Sequence, residues 1–389
     1  MLSAGVALWS LGTALGPPSA AVALPALCAS RLLVGLGEGL APSAATALLV
    51  QFVPAAERAR AVSLVWGGLD LGSVVGLLIA PVLITAWGWQ AVFYAFAGLG
   101  LIWWLLWPKA QPHASAAVTR PTRTAGAAAA SAAADAARWI ADWRQRTGVV
   151  ARPLPRAPAA GKPRRAGSPP LGKFARSPAV WAVVVTHFCF NYGYYTLLAW
   201  LPSYFEGALR MDLGASSALS LLPYVAMVAM TPVVGPVADA LVARGFSVTA
   251  VRKLAQGIAF VGPAACMLSL AWLTPAAGAS AAPPHVAVVV ALMSLAFALS
   301  GWSRAGLYCN HQDLSPRYAS LLLGISNTAG ALPGVLGVWA AGVALDATGS
   351  WALALFLPTA AAQLLGAVVF TLFGSGENQG WDNTPEGDA

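Results

Sequence analysis

Residues 61–84 run AVSLVWGGLDLGSVVGLLIAPVLI, with Asp70 as their one ionisable side chain. A helix rising 1.5 Å per residue needs about 20 such residues to cross a hydrocarbon core about 30 Å thick. The stretch lacks in-out alternation and mixes Ala, Leu, Gly and Val throughout, so it reads as a bilayer helix and not a barrel strand. Comparable blocks lie near 2–16, 22–52, 90–107, 178–205, 216–242, 254–274, 286–311, 318–345 and 351–373, about ten spans in all. Hydrophobic residues make up 58% of the chain and charged ones 9%, a balance that cannot cover a surface in water. The expected fold class is an all-α membrane protein.

The net charge of +8 is distributed by side. Arg58 and Arg60 follow the second span, thirteen Lys or Arg fall in 108–177, Arg244, Arg252 and Lys253 follow the sixth span, and Arg317 follows the eighth. Loops on the opposite side hold Arg210 alone. The positive-inside rule therefore turns the basic loops inward. Topology accounts for the basic excess, so no nucleic-acid partner is expected. Trp87, Trp89, Trp103, Trp104 and Trp107 fit an interfacial belt. Met1 runs directly into apolar residues without a basic leader, so neither a signal nor a transit peptide is expected.

The Ala-, Pro- and Arg-rich segment 108–177 reads as an inward-side linker. It separates a bundle of about four spans over 1–107 from six over 178–373, which precede a polar tail at 374–389. Inside the linker, Arg138-Trp139-Ile140-Ala-Asp142-Trp143-Arg144-Gln-Arg146 reads either as an interfacial helix or as unstructured chain. Across the linker the sequence repeats at an offset near 260 residues. Glu57-Arg58-Ala-Arg60, Gly72-Ser-Val-Val-Gly76 and Gly88-Trp89 return as Pro316-Arg317-Tyr-Ala, Gly330-Ala-Leu-Pro-Gly334 and Gly349-Ser-Trp351. Glycines at four-residue spacing allow close helix approach. Cys28, Cys189, Cys266 and Cys309 are scattered without CxxC spacing, and the four histidines are dispersed. Core packing is expected of the cysteines, and no metal centre or cofactor is expected.

A parallel repeat joined by an inward linker is the plan of the major facilitator halves. Within that superfamily the chain resembles the anion:cation symporters, including sodium/phosphate and vesicular organic-anion carriers, and among these the plant and algal plastid anion or phosphate transporters. The resemblance rests on Arg31-Leu-Leu-Val-Gly35-Leu-Gly37-Glu38-Gly39, Glu57-Arg58-Ala-Arg60, Gly88-Trp89-Gln-Ala-Val-Phe93, His187-Phe188-Cys189 and Trp200-Leu-Pro202-Ser-Tyr204. It extends through Asn310-His311-Gln312-Asp313 with Pro316-Arg317 and Gly324-Ile-Ser326-Asn327. Full members have twelve spans, so the first half reads as lacking its first two helices. Gly235-Pro-Val-Ala-Asp239, followed by Arg244 and Arg252, resembles the superfamily's loop motif, which implies a charge latch between an Asp at a helix end and an Arg on a neighbour.

Ionisable groups at membrane depth are costly, which makes each a functional candidate. Arg31 and Glu38 lie two turns apart on one helix face. The resemblance places both in the transport machinery, Arg31 receiving an anion and Glu38 a coupling cation; the bland reading is a structural ion pair. Asp70 and Arg304 depart from the family pattern, where tyrosine and glutamine are commoner. They either neutralise one another or Arg31, or alter substrate choice, with Asp70 a second candidate for the coupling cation. His187, Asn191 and Tyr195, with Arg304, form the remaining anion-binding candidates. Phe190 stands where vesicular carriers commonly have arginine, which favours phosphate over glutamate. Asn310, His311 and Asp313, at an inner helix end, are expected to gate, with Asp313 beside Arg317 as a latch; the loop motif adds Asp239 and Arg244 as further gating candidates.

The resemblance implies alternating access by a monomer in a plastid membrane, with a small anion, inorganic phosphate first, coupled to Na⁺ or H⁺. An organic anion such as ascorbate is the alternative substrate. A non-transporting receptor or scaffold is the rival class. No nucleophile elbow or phosphate loop points to an enzyme, and no ring of charge points to a channel.

Overall fold

A computed structural model describes residues 1–110, 169–274 and 284–381. The 138–146 stretch, most of the 108–177 linker and the end of the 374–389 tail lie outside them. The described residues are helical: α1 Leu2–Ala14, α2 Gly16–Val22, α3 Leu24–Phe52, α4 Arg58–Trp87, α5 Trp89–Ala110, α6 Leu171–Arg176, α7 Pro178–Gly207, α8 Leu213–Ala243, α9 Val248–Leu273, α10 Val286–Ser300, α11 Leu307–Leu314, α12 Ala319–Thr348 and α13 Leu357–Phe373. Eight helical stretches among the described residues are long and apolar enough to cross a membrane. Helix α7 matches their length, but His187, Asn191 and its tyrosines make it more polar. The expected first span, 2–16, is α1, and the link to the second span is itself the short helix α2, opened by Pro17-Pro18 in its first turn, where a missing N–H costs nothing.

Two compact units divide the chain. Of the described residues, the first takes in 1–38 and 90–110; the second takes in 39–89 and those from 169 onward. In the first unit α1 lies against the opening half of α3, with Gly12 and Gly37 at the contact: a Cβ on Gly37 would stand 2.5 Å from the backbone nitrogen of Trp9. In the second unit α7 packs on α12 and α13, α9 on α10 and α13, and α8 on both α4 and α10. Phe205, Phe260, Met267, Leu270, Met293, Phe356 and Phe370 fill its core.

The repeat landmarks have physical work to do. Gly88 (φ 82°) ends α4 and Gly349 (φ 61°) ends α12, both at a positive φ that glycine adopts without a Cβ clash, and Gly349 in the left-handed cap conformation. Gly330 of α12 sits under His187 and Asn191, and Gly334 under the Tyr195 ring, so close approach holds for the second copy. Gly72 and Gly76 of the first copy face open space. The cysteines follow expectation at Cys189, Cys266 and Cys309, all buried, whereas Cys28 is exposed.

Candidate functional site

The expected continuous span at 286–311 is broken. Helix α10 stops at Ser300, a 3₁₀ turn runs over Gly301–Arg304, and α11 begins only at Leu307. Gly301 and Gly306 bracket the break and weaken the helix there. Helix α9 satisfies the loosened backbone: Leu307 N–H donates to Gln256 Oε1 (3.0 Å), Gln256 Nε2 to Ser303 Oγ (3.1 Å), and Arg252 Nη1 to the Ala305 carbonyl (3.1 Å).

The break holds Arg304 fully inside the unit, aimed at α4. Its Nη2 donates to both oxygens of Asp70, at 2.7 and 2.8 Å, and both residues are buried. The two residues thus stand as a buried ion pair. The guanidinium carbon lies 4.8 Å from the Tyr308 ring centroid and 5.8 Å from that of Phe190. Arg304 Nε and Nη1 are buried and make no well-formed hydrogen bond among the described residues. Such donors are costly to leave unpaired.

His187, Asn191 and Tyr195 line the α7 side. Ser326 of α12 joins two of the candidates: its Oγ is 3.0 Å from His187 Nδ1 and 2.7 Å from His311 Nε2, and it donates to the Leu323 carbonyl at 3.2 Å. The two imidazoles lie 6.2 Å apart, and His187 meets Tyr308 edge-on at 5.5 Å. Asn191 Nδ2 donates to the Gly330 carbonyl at 2.8 Å. The structure thus gathers His187, His311, Arg304 and Asp70 around Tyr308, with Asn191 and Tyr195 further along α7.

At the basic-loop end, Asp239 does not pair with Arg244, which is exposed. Its oxygens instead accept the backbone N–H groups of Ala59 (3.2 Å) and Arg60 (3.0 Å) at the start of α4, a helix N-terminus whose dipole favours an anion. Asp313 pairs with Arg252 (Nε, 2.6 Å) and Arg58 (Nη1, 3.2 Å). The expected latch with Arg317 is not formed, because α11 ends at Leu314 and Arg317 lies over the Tyr318 ring. Asn310 donates to the Ser375 carbonyl at 2.6 Å, tying down the chain beyond α13.

Arg31 and Glu38 belong to the first unit. Arg31 Nη2 donates to the Gly12 carbonyl (3.1 Å), Nε to Ser30 Oγ (3.3 Å), and its guanidinium faces the Phe93 ring at 5.4 Å. Glu38 is exposed, and no ion pair joins it to Arg31. Gln256 and Ser326 were not among the sequence candidates. The bracketing glycines 301 and 306 were a readable sign of the break that Gln256 braces; Ser326 carries no signal apart from its place in a motif. No group of three or more His, Cys, Asp or Glu able to hold a metal occurs among the described residues.

Long apolar helices, one of them broken around a buried arginine and carboxylate, define a multi-pass membrane protein of the helical carrier class. Residues 1–338 match the Major Facilitator Superfamily, and the chain belongs to that superfamily. It is 40% identical over 383 residues to probable anion transporter 6, chloroplastic, of Arabidopsis thaliana, covering 97% of this chain and 66% of the relative. From the same plant, a chloroplastic ascorbate transporter is 37% identical over 385 residues (97% and 62%) and a chloroplastic sodium-dependent phosphate transport protein 38% identical over 378 (97% and 66%). The chain therefore spans about two thirds of the length of these relatives. Among solved structures, the proton:xylose symporter XylE superposes with a TM-score of 0.64 at 15% identity, over 97% of this chain and 80% of that one, a likeness of fold.

Proposed function

We propose that the protein is a cation-coupled carrier of small anions, inorganic phosphate first, working by alternating access as a single chain in a plastid membrane. The observation that carries this reading is the buried Arg304, whose Nε and Nη1 carry N–H groups that make no well-formed hydrogen bond among the described residues, with the Tyr308 side chain as their polar neighbour. An arginine is the side chain best matched to an oxyanion, because its planar fork makes paired charge-assisted bonds. The chloroplastic phosphate and ascorbate transporters among its relatives support an anionic substrate and a plastid location. His187 and Asn191 would complete the anion's surroundings. Arg31 and Glu38 in the first unit are candidates for a further anion contact and for cation coupling.

A planar organic anion such as ascorbate is the second reading. It is favoured by the aromatic wall of Phe190, Tyr194, Tyr195 and Tyr308, whose neighbouring rings lie 5.6 to 6.3 Å apart. The deciding experiment is uptake of labelled phosphate and of labelled ascorbate by proteoliposomes, with and without an imposed Na⁺ or H⁺ gradient. Accumulation of either anion supports a carrier. Binding of both without flux would leave a receptor instead.

A further inference from the structure

Asp70 engages Arg304 in an incomplete way. Both carboxylate oxygens accept from the single nitrogen Nη2, so neither two-nitrogen fork of the guanidinium is fully used. Nε and Nη1 stay buried without a well-formed hydrogen bond among the described residues. An arginine keeps its charge under all ordinary conditions, and a buried charge left alone costs several kcal/mol. Without a ligand, Arg304 therefore needs Asp70. When an oxyanion takes a fork, one positive and two negative charges stand together. One negative charge must then be removed or moved away, and of the two groups that the protein itself supplies Asp70 is the one that can take up a proton in place.

We propose that Asp70 is the proton site of the carrier and an internal stand-in for its substrate: it holds Arg304 in the anion-free state and gives way as a neutral acid when the transported oxyanion binds. This rests on the anion-carrier reading and deepens it by naming the coupling ion as H⁺. The step is a proton transfer only: one proton, delivered as hydronium from the solution on one side, binds a carboxylate oxygen of Asp70 as one anion enters, and proton and anion are both released to the solution on the other side.

The surroundings fit this assignment. Around Asp70 the second unit presents Arg304 from the 3₁₀ turn, Tyr308 from α11, and Tyr194, with His187 further along, from α7. Helix α8, packed along α4, sets Thr231 against Gly67 and Tyr224 against Tyr194. Its charge at Asp239 is spent on the start of α4. No second carboxylate among these groups shares the proton. A sodium ion at the same place would need several oxygens beside a guanidinium that repels it, whereas a proton removes the charge on the carboxylate itself.

The test uses purified protein in proteoliposomes with inorganic phosphate and, in parallel, ascorbate as probes. For the unaltered protein an inward proton gradient should drive accumulation, and a Na⁺ gradient at equal pH should drive none. Asp70→Asn, a mimic of the protonated acid, should lose gradient-driven accumulation, while exchange of internal for external anion becomes independent of pH. Accumulation driven by Na⁺ alone, or proton-driven accumulation surviving in Asp70→Asn, overturns the proton assignment and leaves the anion carrier standing. Failure of both anions to cross under any gradient overturns the carrier reading and this inference with it. If Asp70→Asn does not fold, the comparison of the two gradients on the unaltered protein decides.

Discussion

Asp70 and Arg304, 234 residues apart in sequence, meet at 2.7 Å inside the second unit. The pair links α4 to the broken α10–α11 segment and is closed off from solvent. Removing one partner of a buried ion pair strands the other and typically costs about 3–5 kcal/mol, whereas neutral replacement of both is often mild. Arg304→Gln alone should therefore lower thermal stability in detergent by that order. The double variant Asp70→Asn, Arg304→Gln should recover most of the loss. Equal losses in single and double variants would show that the pair is not coupled.

Gly330 offers a steric prediction. A Cβ there would stand 2.8 Å from His187 Cδ2 and 2.9 Å from Asn191 Nδ2, so Gly330→Ala must push α12 from α7 or displace both side chains. Overpacking of this kind costs about 1–3 kcal/mol. Gly72→Ala, at the matching place in the first repeat where nothing lies within contact, should be neutral or slightly stabilising, since alanine favours helix. The unfolding temperatures of the two variants, measured side by side, check this.

These cases show where sequence was informative. Apolar blocks of membrane length, basic loops on alternate sides and the recurring glycines are properties of single segments, and they gave the helices, the repeat and the superfamily. Pairings are properties of two segments. Asp313 has Arg317 four residues on, but α11 ends at Leu314 ahead of Pro316, so no shared helix face carries that contact. Its actual partners, Arg252 and Arg58, come from α9 and α4. Similarly, the break at Gly301–Arg304 hides within an apolar run, and only the placement of Arg252 and Gln256 beside it shows how its backbone is satisfied.

The contacts at the basic-loop end predict a conformational effect. Asp239 accepts two N–H groups at the start of α4, and Arg58 at the same place reaches Asp313. Loss of one such bond is worth about 1 kcal/mol, which shifts a two-state balance about fivefold. In a background with Cys309 as the sole cysteine, Asp239→Ala and Arg58→Ala should each speed its alkylation by a permeant maleimide. Cys309 is fully buried and lies close to Asp313, Asp239 and Arg58, so its labelling reports opening. Unchanged rates in both variants would mean that these bonds do not hold that end shut.

Ser326 is the smallest residue on which much depends. Its hydroxyl is the shared partner of His187 Nδ1 and His311 Nε2, tying α7, α11 and α12 together beside Arg304. A hydroxyl has one proton to give and two lone pairs to receive. While it donates to the Leu323 carbonyl, both imidazole nitrogens facing it must be the protonated ones. Ser326→Ala would strand two buried N–H groups at about 1–3 kcal/mol each. Ser326→Thr keeps the oxygen and adds a methyl. We expect Ser326→Ala to lower the unfolding temperature markedly and Ser326→Thr to restore part of it. Equal loss in the two would indicate that packing volume at this position, and not the shared hydroxyl, holds the three helices together.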